Sequence, residues 1–221
     1  MASAFRRKDN NSTIRAMQSA VGLPGTLLTN VVAGVRMEGA IRAASVALCV
    51  ALTAAAAQVS IPLPFTPVPL TLQPMVVLLG GAVLGPRLGM SAQVLYLLFG
   101  IAGLPVFAAS PILPQGALRL IGPTGGYLMS YPFAAFVAGT LAERGLDRRY
   151  LTSLFAMTCG LAVIFFGGVT WLAFFARPAV GLDAALATGL YPFVLLDVLK
   201  LLIASGITPA LWRFVSLITD H

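Results

Sequence analysis

The residues with the most chemistry in this sequence are Asp197 and Lys200, one acid and one base inside the otherwise apolar run Leu190–Ser205. A spacing of three brings both side chains to one face of an α-helix. In a bilayer, each ionised group would cost roughly 2.5–3.5 kcal/mol on insertion scales, so the pair must face protein or a water-filled cavity. Two arrangements satisfy that requirement. One is a structural ion pair that ties its helix to the neighbours; the other is a polar clamp for a small ligand.

Little other chemistry is present. An enzyme needs a nucleophile with a base, a metal cluster or paired carboxylates, and the one histidine is His221 in the C-terminal tail. No grouping of Cys, His, Asp and Glu has metal-site spacing. Cys49 and Cys159 both fall inside apolar segments and read as small core residues. Asp197 is the one acid expected within the membrane, which is too few for a proton relay. Gly125-Gly126 is not followed by the Lys and Ser or Thr of a phosphate-binding loop. The reading is a binding or translocating subunit, not an enzyme, without metal or cofactor, any ATP being used by partner chains.

The elements that must position the pair are membrane helices. The 221 residues are 58% hydrophobic and 10% charged, with a mean hydropathy of +0.93; a soluble domain carries about a quarter charged residues. The apolar stretches outrun the alternating pattern of a membrane barrel. Six spans are marked: Gly39–Val59, Pro74–Gly85, Leu88–Gly103, Pro123–Leu141, Leu151–Phe175 and Gly189–Phe214. The second is short, about 18 Å by helical rise, and becomes adequate only if Leu70–Gln73 contribute. Ser60–Gln73 is uncharged, holds four prolines, cannot be helix and suits a rigid lid. Leu104–Gly122 is a second long loop, Arg177–Thr188 a short amphipathic connector. Pro123-Thr124-Gly125-Gly126-Tyr127 opens the fourth span, with helix N–H groups available to a polar ligand. Alanines at 43, 47, 51 and 55 form a small-residue stripe, suited either to internal packing or to a helix of another subunit.

The fold class is thus all-α: a polytopic integral membrane protein of six transmembrane helices in residues 36–221. Residues 1–35 form a cytoplasmic extension, disordered or interfacial. Six spans put both termini on one side. Arg6, Arg7, Lys8, Arg15, Arg36, Arg42, Arg87, Arg144, Arg148, Arg149 and Arg213 fall on that side, Arg119 and Arg177 on the other. This bias makes the termini cytoplasmic and reads the net charge of +7 as a topology signal rather than a nucleic-acid surface. The proline-rich loops and the near end of the sixth span then converge outside, where a ligand pocket would open.

Several strings together resemble the BioY family of biotin-binding S components of energy-coupling factor (ECF) transporters: Phe65-Thr-Pro-Val-Pro-Leu-Thr-Leu-Gln73, Leu84-Gly-Pro-Arg-Leu-Gly89, Gly103-Leu-Pro-Val-Phe107, Gly122-Pro-Thr-Gly-Gly-Tyr127 and Asp197-x-x-Lys200. The resemblance covers Arg36 to the C-terminus. It implies high-affinity binding and uptake of biotin through the bacterial cytoplasmic (inner) membrane, with a transmembrane coupling protein and two ABC-type ATPases as partners. It also makes the stripe Ala43, Ala47, Ala51, Ala55 a docking face. Asp197 would then accept from the ureido group and Lys200 would donate to the ureido oxygen or else pair with the carboxylate, with Thr66, Gln73 and Thr124 as secondary donors and Gly125 and Gly126 at the pocket entrance. Tyr96 and Tyr127 would stack on or cap the bicycle, and Arg119 would meet the carboxylate. The alternatives are a stand-alone, homo-oligomeric biotin carrier and an S component for thiamine or riboflavin.

Overall fold

The computed structural model describes residues 26–28, 38–110 and 113–219. Most of the expected extension 1–35 lies outside them. Of the three residues that are described there, Thr26 and Leu27 are buried, and Thr26 packs against the corner at Gly85.

Eight helices and one small hairpin make up the described chain. Helix α1 (Glu38–Gln58) leads into strands β1 (Ser60–Ile61) and β2 (Leu70–Thr71). Helices α2 (Gln73–Leu84) and α3 (Pro86–Ile101) meet at Gly85, whose φ of 88° favours glycine. The short α4 (Leu118–Ile121) precedes α5 (Gly125–Glu143) and α6 (Tyr150–Phe174). Last come α7 (Leu182–Gly189) and α8 (Tyr191–Thr219). Three helices, α1, α6 and α8, are long and apolar enough to cross a membrane.

The connections carry more structure than the sequence marks. Ser60–Gln73 is non-helical up to Leu72, as its prolines require, and its ends pair antiparallel, Ser60 with Thr71 and Ile61 with Leu70, with the prolines in the turn between them. Leu70 and Thr71 therefore do not lengthen the second span, because they are strand, and Gln73 is already helix. α2 remains a half-length helix of 12 residues whose first turn meets the hairpin. The short amphipathic connector Arg177–Thr188 holds the helix α7 in its second half, and the long loop Leu104–Gly122 contains the one-turn α4.

Helix α5 is the centre of the bundle, in contact with α2, α3, α4 and α6. Its sequence explains why it can serve so many neighbours. Ala134, Ala135, Ala138 and Ala142 are fully buried, and small side chains let backbones approach where no water is available to drive association. The approach is closest at glycines. A Cβ on Gly81 of α2 would sit 2.3 Å from the Ala135 carbonyl oxygen, and one on Gly139 of α5 would sit 2.5 Å from the Pro86 nitrogen. Outward faces carry the opposite kind of residue. On α8, Leu195, Leu199 and Ile203 project from the bundle at intervals of four, while Asp197, Leu201, Ala204 and Thr208 are buried. An apolar row of this kind on the outside is a lipid-facing surface.

Because the obstacle at Gly81 is backbone, it cannot swing aside. Gly81→Leu should destabilise the detergent-solubilised protein by about 1–3 kcal/mol or more. Thermal unfolding measures this, and an unchanged melting temperature would mean that α2 and α5 do not touch there.

Candidate functional site

The site is built where α8 passes the hairpin. Asp197 and Lys200 share one face, as their spacing requires, and Lys200 Nζ donates to Asp197 Oδ1 at 2.7 Å. The same ammonium donates to the Thr71 carbonyl oxygen, also at 2.7 Å, and so ties β2 to α8. From Thr71 a hydrogen-bonded chain continues inward. The Thr71 hydroxyl donates to Gln73 Oε1 at 3.3 Å, Gln73 Nε2 donates to the Tyr96 hydroxyl at 2.6 Å, and that hydroxyl donates to the Val106 carbonyl at 3.0 Å. One network thus joins α8, the hairpin, α2, α3 and the loop after α3.

Beside this network lies a cavity of about 50 Å³, between the hairpin loop, α5, α6 and α8. That is several times the roughly 10–15 Å³ one water needs. Asp197, Lys200, Gln73, Thr124, Arg119 and Tyr127 line it, all of them candidates from the sequence. Arg119, expected in the second long loop, is withdrawn from solvent there. It is 1% exposed, carried on α4, and donates through Nη2 to the Ala108 carbonyl at 2.8 Å and through Nη1 to the Leu113 carbonyl at 3.2 Å. Its Nε has no partner among the described residues, and neither has the buried Thr124 hydroxyl. Burial lowers the Arg119 pKa from its ordinary value, yet a guanidinium starts so high that it keeps its proton.

Other candidates lie elsewhere. Tyr96 is fully buried behind Gln73, edge-on to Phe107 with ring centroids 5.6 Å apart, and does not line the cavity. It positions Gln73 instead of offering a ring face. The Thr66 hydroxyl donates to the Thr188 carbonyl at 2.6 Å, pinning the hairpin loop to the end of α7. Tyr127 donates to the adjacent Gly189 carbonyl at 2.7 Å. Gly125 and Gly126 are outside the cavity lining. A Cβ on Gly125 would come 1.8 Å from the Leu120 carbonyl oxygen, and one on Gly126 2.1 Å from the Trp171 Cβ. The Gly125 N–H is itself occupied by the Gly122 carbonyl at 3.1 Å. These glycines serve close packing, and the open N–H group expected at Gly125 is not there.

The sequence reading missed the apolar wall: Tyr131, Ile164, Phe165 and Phe193 also line the cavity. Two of them were within reach of a simple rule. Tyr131 lies four residues after Tyr127, and Phe193 four before Asp197, so each shares a helix face with a residue already chosen. On α1, Ala43, Ala47, Ala51 and Ala55 are all exposed. The first three line an apolar groove of about 530 Å³ between α1 and α3, with Val46, Leu95 and Phe99.

Comparison with known proteins decides the family, since a BioY family profile matches residues 20–217. The chain belongs to the BioY family. The match starts well before Arg36, taking in the buried Thr26 and Leu27 that the sequence reading had placed outside the resemblance. Among BioY relatives, the "Probable biotin transporter BioY" of Pyrococcus horikoshii is 45% identical over 155 residues, 70% of this chain and 86% of its own length. The "Biotin transporter BioY" of Thermotoga maritima is 41% identical over 155 residues, again 70% and 86%. A crystal structure of the S-component for biotin from an ECF-type ABC transporter superposes with a TM-score of 0.71 at 25% identity, covering 82% of this chain and 95% of that one.

The buried pair also makes a stability prediction for this BioY-family chain. Removing one partner leaves an uncompensated buried charge, at a cost of about 3–5 kcal/mol, whereas removing both is much milder. Lys200→Met alone should therefore lower the melting temperature of ligand-free protein more than Lys200→Met with Asp197→Asn. Equal losses in the two variants would show that the carboxylate is solvated.

Proposed function

We propose that this chain is the substrate-binding subunit of a biotin uptake system and that biotin binds in the cavity beside Asp197 and Lys200. The observation that carries the reading is the charge of the cavity wall. Asp197 and Lys200 neutralise each other at 2.7 Å, while Arg119 is buried against neutral carbonyls. The lining therefore has one cation to spare, which suits a ligand with one carboxylate. Biotin has that carboxylate, a ureido group with two N–H donors and one carbonyl, and an apolar thioether ring. Thiamine is a cation and riboflavin is neutral, so neither matches.

The roles follow from donor counting. Asp197 accepts from a ureido N–H. Lys200 has three donors, gives two to Asp197 and Thr71, and has the third for the ureido oxygen. Gln73 and Thr124 supply further polar contacts; Tyr127, Tyr131, Phe165 and Phe193 pack the bicycle, as aromatic side chains do in most small-ligand pockets. Arg119 takes the carboxylate. A wall of buried polar groups rejects ligands that leave them unpaired. The hairpin loop 62–69 lies over the cavity and has to lift for entry.

In this reading the chain crosses the cytoplasmic membrane of a bacterium six times with both termini inside, the positive-inside bias supporting that orientation. A transmembrane coupling protein docks on the alanine stripe, and two ABC-type ATPases supply the energy. The exposure of Ala43, Ala47 and Ala51 along an apolar groove supports that docking face.

Two measurements test the reading. Asp197→Asn and Lys200→Ala should each weaken biotin binding at least about tenfold, a loss of about 1.4 kcal/mol, in isothermal titration of purified protein; undiminished affinity in both refutes the clamp. Ala47→Trp should abolish energised uptake and leave equilibrium binding intact. Loss of binding as well would mean that the stripe supports the fold of this chain.

A further inference from the structure

A second polar groove lies far from the cavity. It runs between the start of α6 and the last turns of α8, holds about 590 Å³, and is lined by Arg148, Arg149 and Arg213 together with Tyr150, Pro209, Phe214 and Leu217. The cavity above is lined by Ile164 and Phe165 of α6, about 15 residues further along that helix, or roughly 22 Å by helical rise. The two sites are therefore at opposite ends of the bundle. Gly206 helps to open the groove, since a Cβ there would meet nothing nearer than Tyr150 Cε2 at 4.0 Å.

Its charge is one-sided. Three guanidinium groups line it and no carboxylate does. The nearby acid, Asp147, is 1% exposed and accepts the Trp212 indole N–H at 2.6 Å, while Arg148 lies over the Trp212 ring at 4.8 Å from its centroid. Asp147 acts electrostatically on its chain neighbour Arg148, but it is not part of the groove lining. Arg149 and Arg213 are exposed and form no ion pair with any described carboxylate. Arg149 also occupies the N-cap position of α6, without a side-chain capping hydrogen bond, at the helix end whose dipole favours an anion. The remaining wall is apolar and continues onto the outward row of α8 through Leu211, Ile207 and Ile203, all exposed.

We propose that this groove binds an anionic phospholipid, the phosphate held by Arg149 and Arg213 with Arg148 behind them, and an acyl chain laid along α8. Basic pockets between membrane helices at the cytoplasmic end recognise anionic headgroups in this way. The apolar wall decides between lipid and free phosphate, because a phosphate ion has no use for Phe214 and Leu217. The inference rests on the membrane orientation given above and is independent of which vitamin the cavity takes.

The full chain, reconstituted in equal parts of phosphatidylcholine and phosphatidylglycerol and then released in mild detergent, is assayed by native mass spectrometry for retained lipid. The parent should retain phosphatidylglycerol in preference to phosphatidylcholine. Arg149→Gln/Arg213→Gln should reduce that preference by about tenfold, while Arg149→Lys/Arg213→Lys keeps part of it and Arg87→Gln keeps all of it. An undiminished preference in the double glutamine variant overturns the proposal. So does an equal loss in Arg87→Gln, which would mean a diffuse positive field, and so does displacement of the lipid by inorganic phosphate. Each single glutamine substitution gives the same test, at about a threefold loss, should the double variant not fold. Biotin titration of the same variants separates the two readings: lost lipid with intact biotin affinity touches the groove alone.

Discussion

An ammonium and a carboxylate withdrawn from water can keep their charges only by keeping each other. That dependence fixes α8 in this protein. With Asp197 turned inward, Leu195, Leu199 and Ile203 must turn outward, and the rotation of the longest helix about its axis is settled. Lys200 then has a donor to spare beyond its partner, and the Thr71 carbonyl takes it. Through that one bond the position of the hairpin, and with it the roof of the cavity, becomes a consequence of the ion pair.

The pair can be held there because the bundle behind it is unusually tight. α5 is threaded among its neighbours by alanines and glycines, and the contacts at Gly81, Gly126 and Gly139 leave no space for even one added carbon. Such close backbone packing is what membrane helices use in place of a hydrophobic driving force. The large side chains of α5, Tyr127 and Tyr131, line the cavity, and the Tyr127 ring also packs on the bare backbone of Gly168 in α6. The polar network from Thr71 to Val106 works on the same rigid base. Tyr96 is valuable there for its hydroxyl, which fixes the Gln73 amide between two partners.

Legibility of this fold in the sequence followed polarity. Asp197 and Lys200 stood out because charges are scarce in an apolar run, and the ends of α1 and α6 could be placed from hydropathy to within one residue, whereas α8 runs five residues past the expected Phe214. Where every face of a helix is apolar, the inward side is marked by residue size and not by polarity. The roles of Gly125 and Gly126 as packing residues, and of Tyr96 as a brace, were therefore hidden. The half-length α2 and the paired ends Ser60–Thr71 were hidden for another reason: they arise from contacts across the bundle, which local pattern does not carry. Arg119 was located correctly along the chain, but its burial depends on carbonyls of Ala108, Leu113 and Pro114, several residues away in an irregular loop.

The segment between the two short strands has four prolines, at 62, 64, 67 and 69, and is anchored unequally. At its C-terminal foot the Lys200 ammonium grips Thr71 in the interior; midway along, the Thr66 hydroxyl donates to the carbonyl of the half-buried Thr188, where water is a ready substitute. Under the proposed function, the weaker fastening beside α7 is the one an incoming ligand would part first, which would put the entrance to the chamber at that rim.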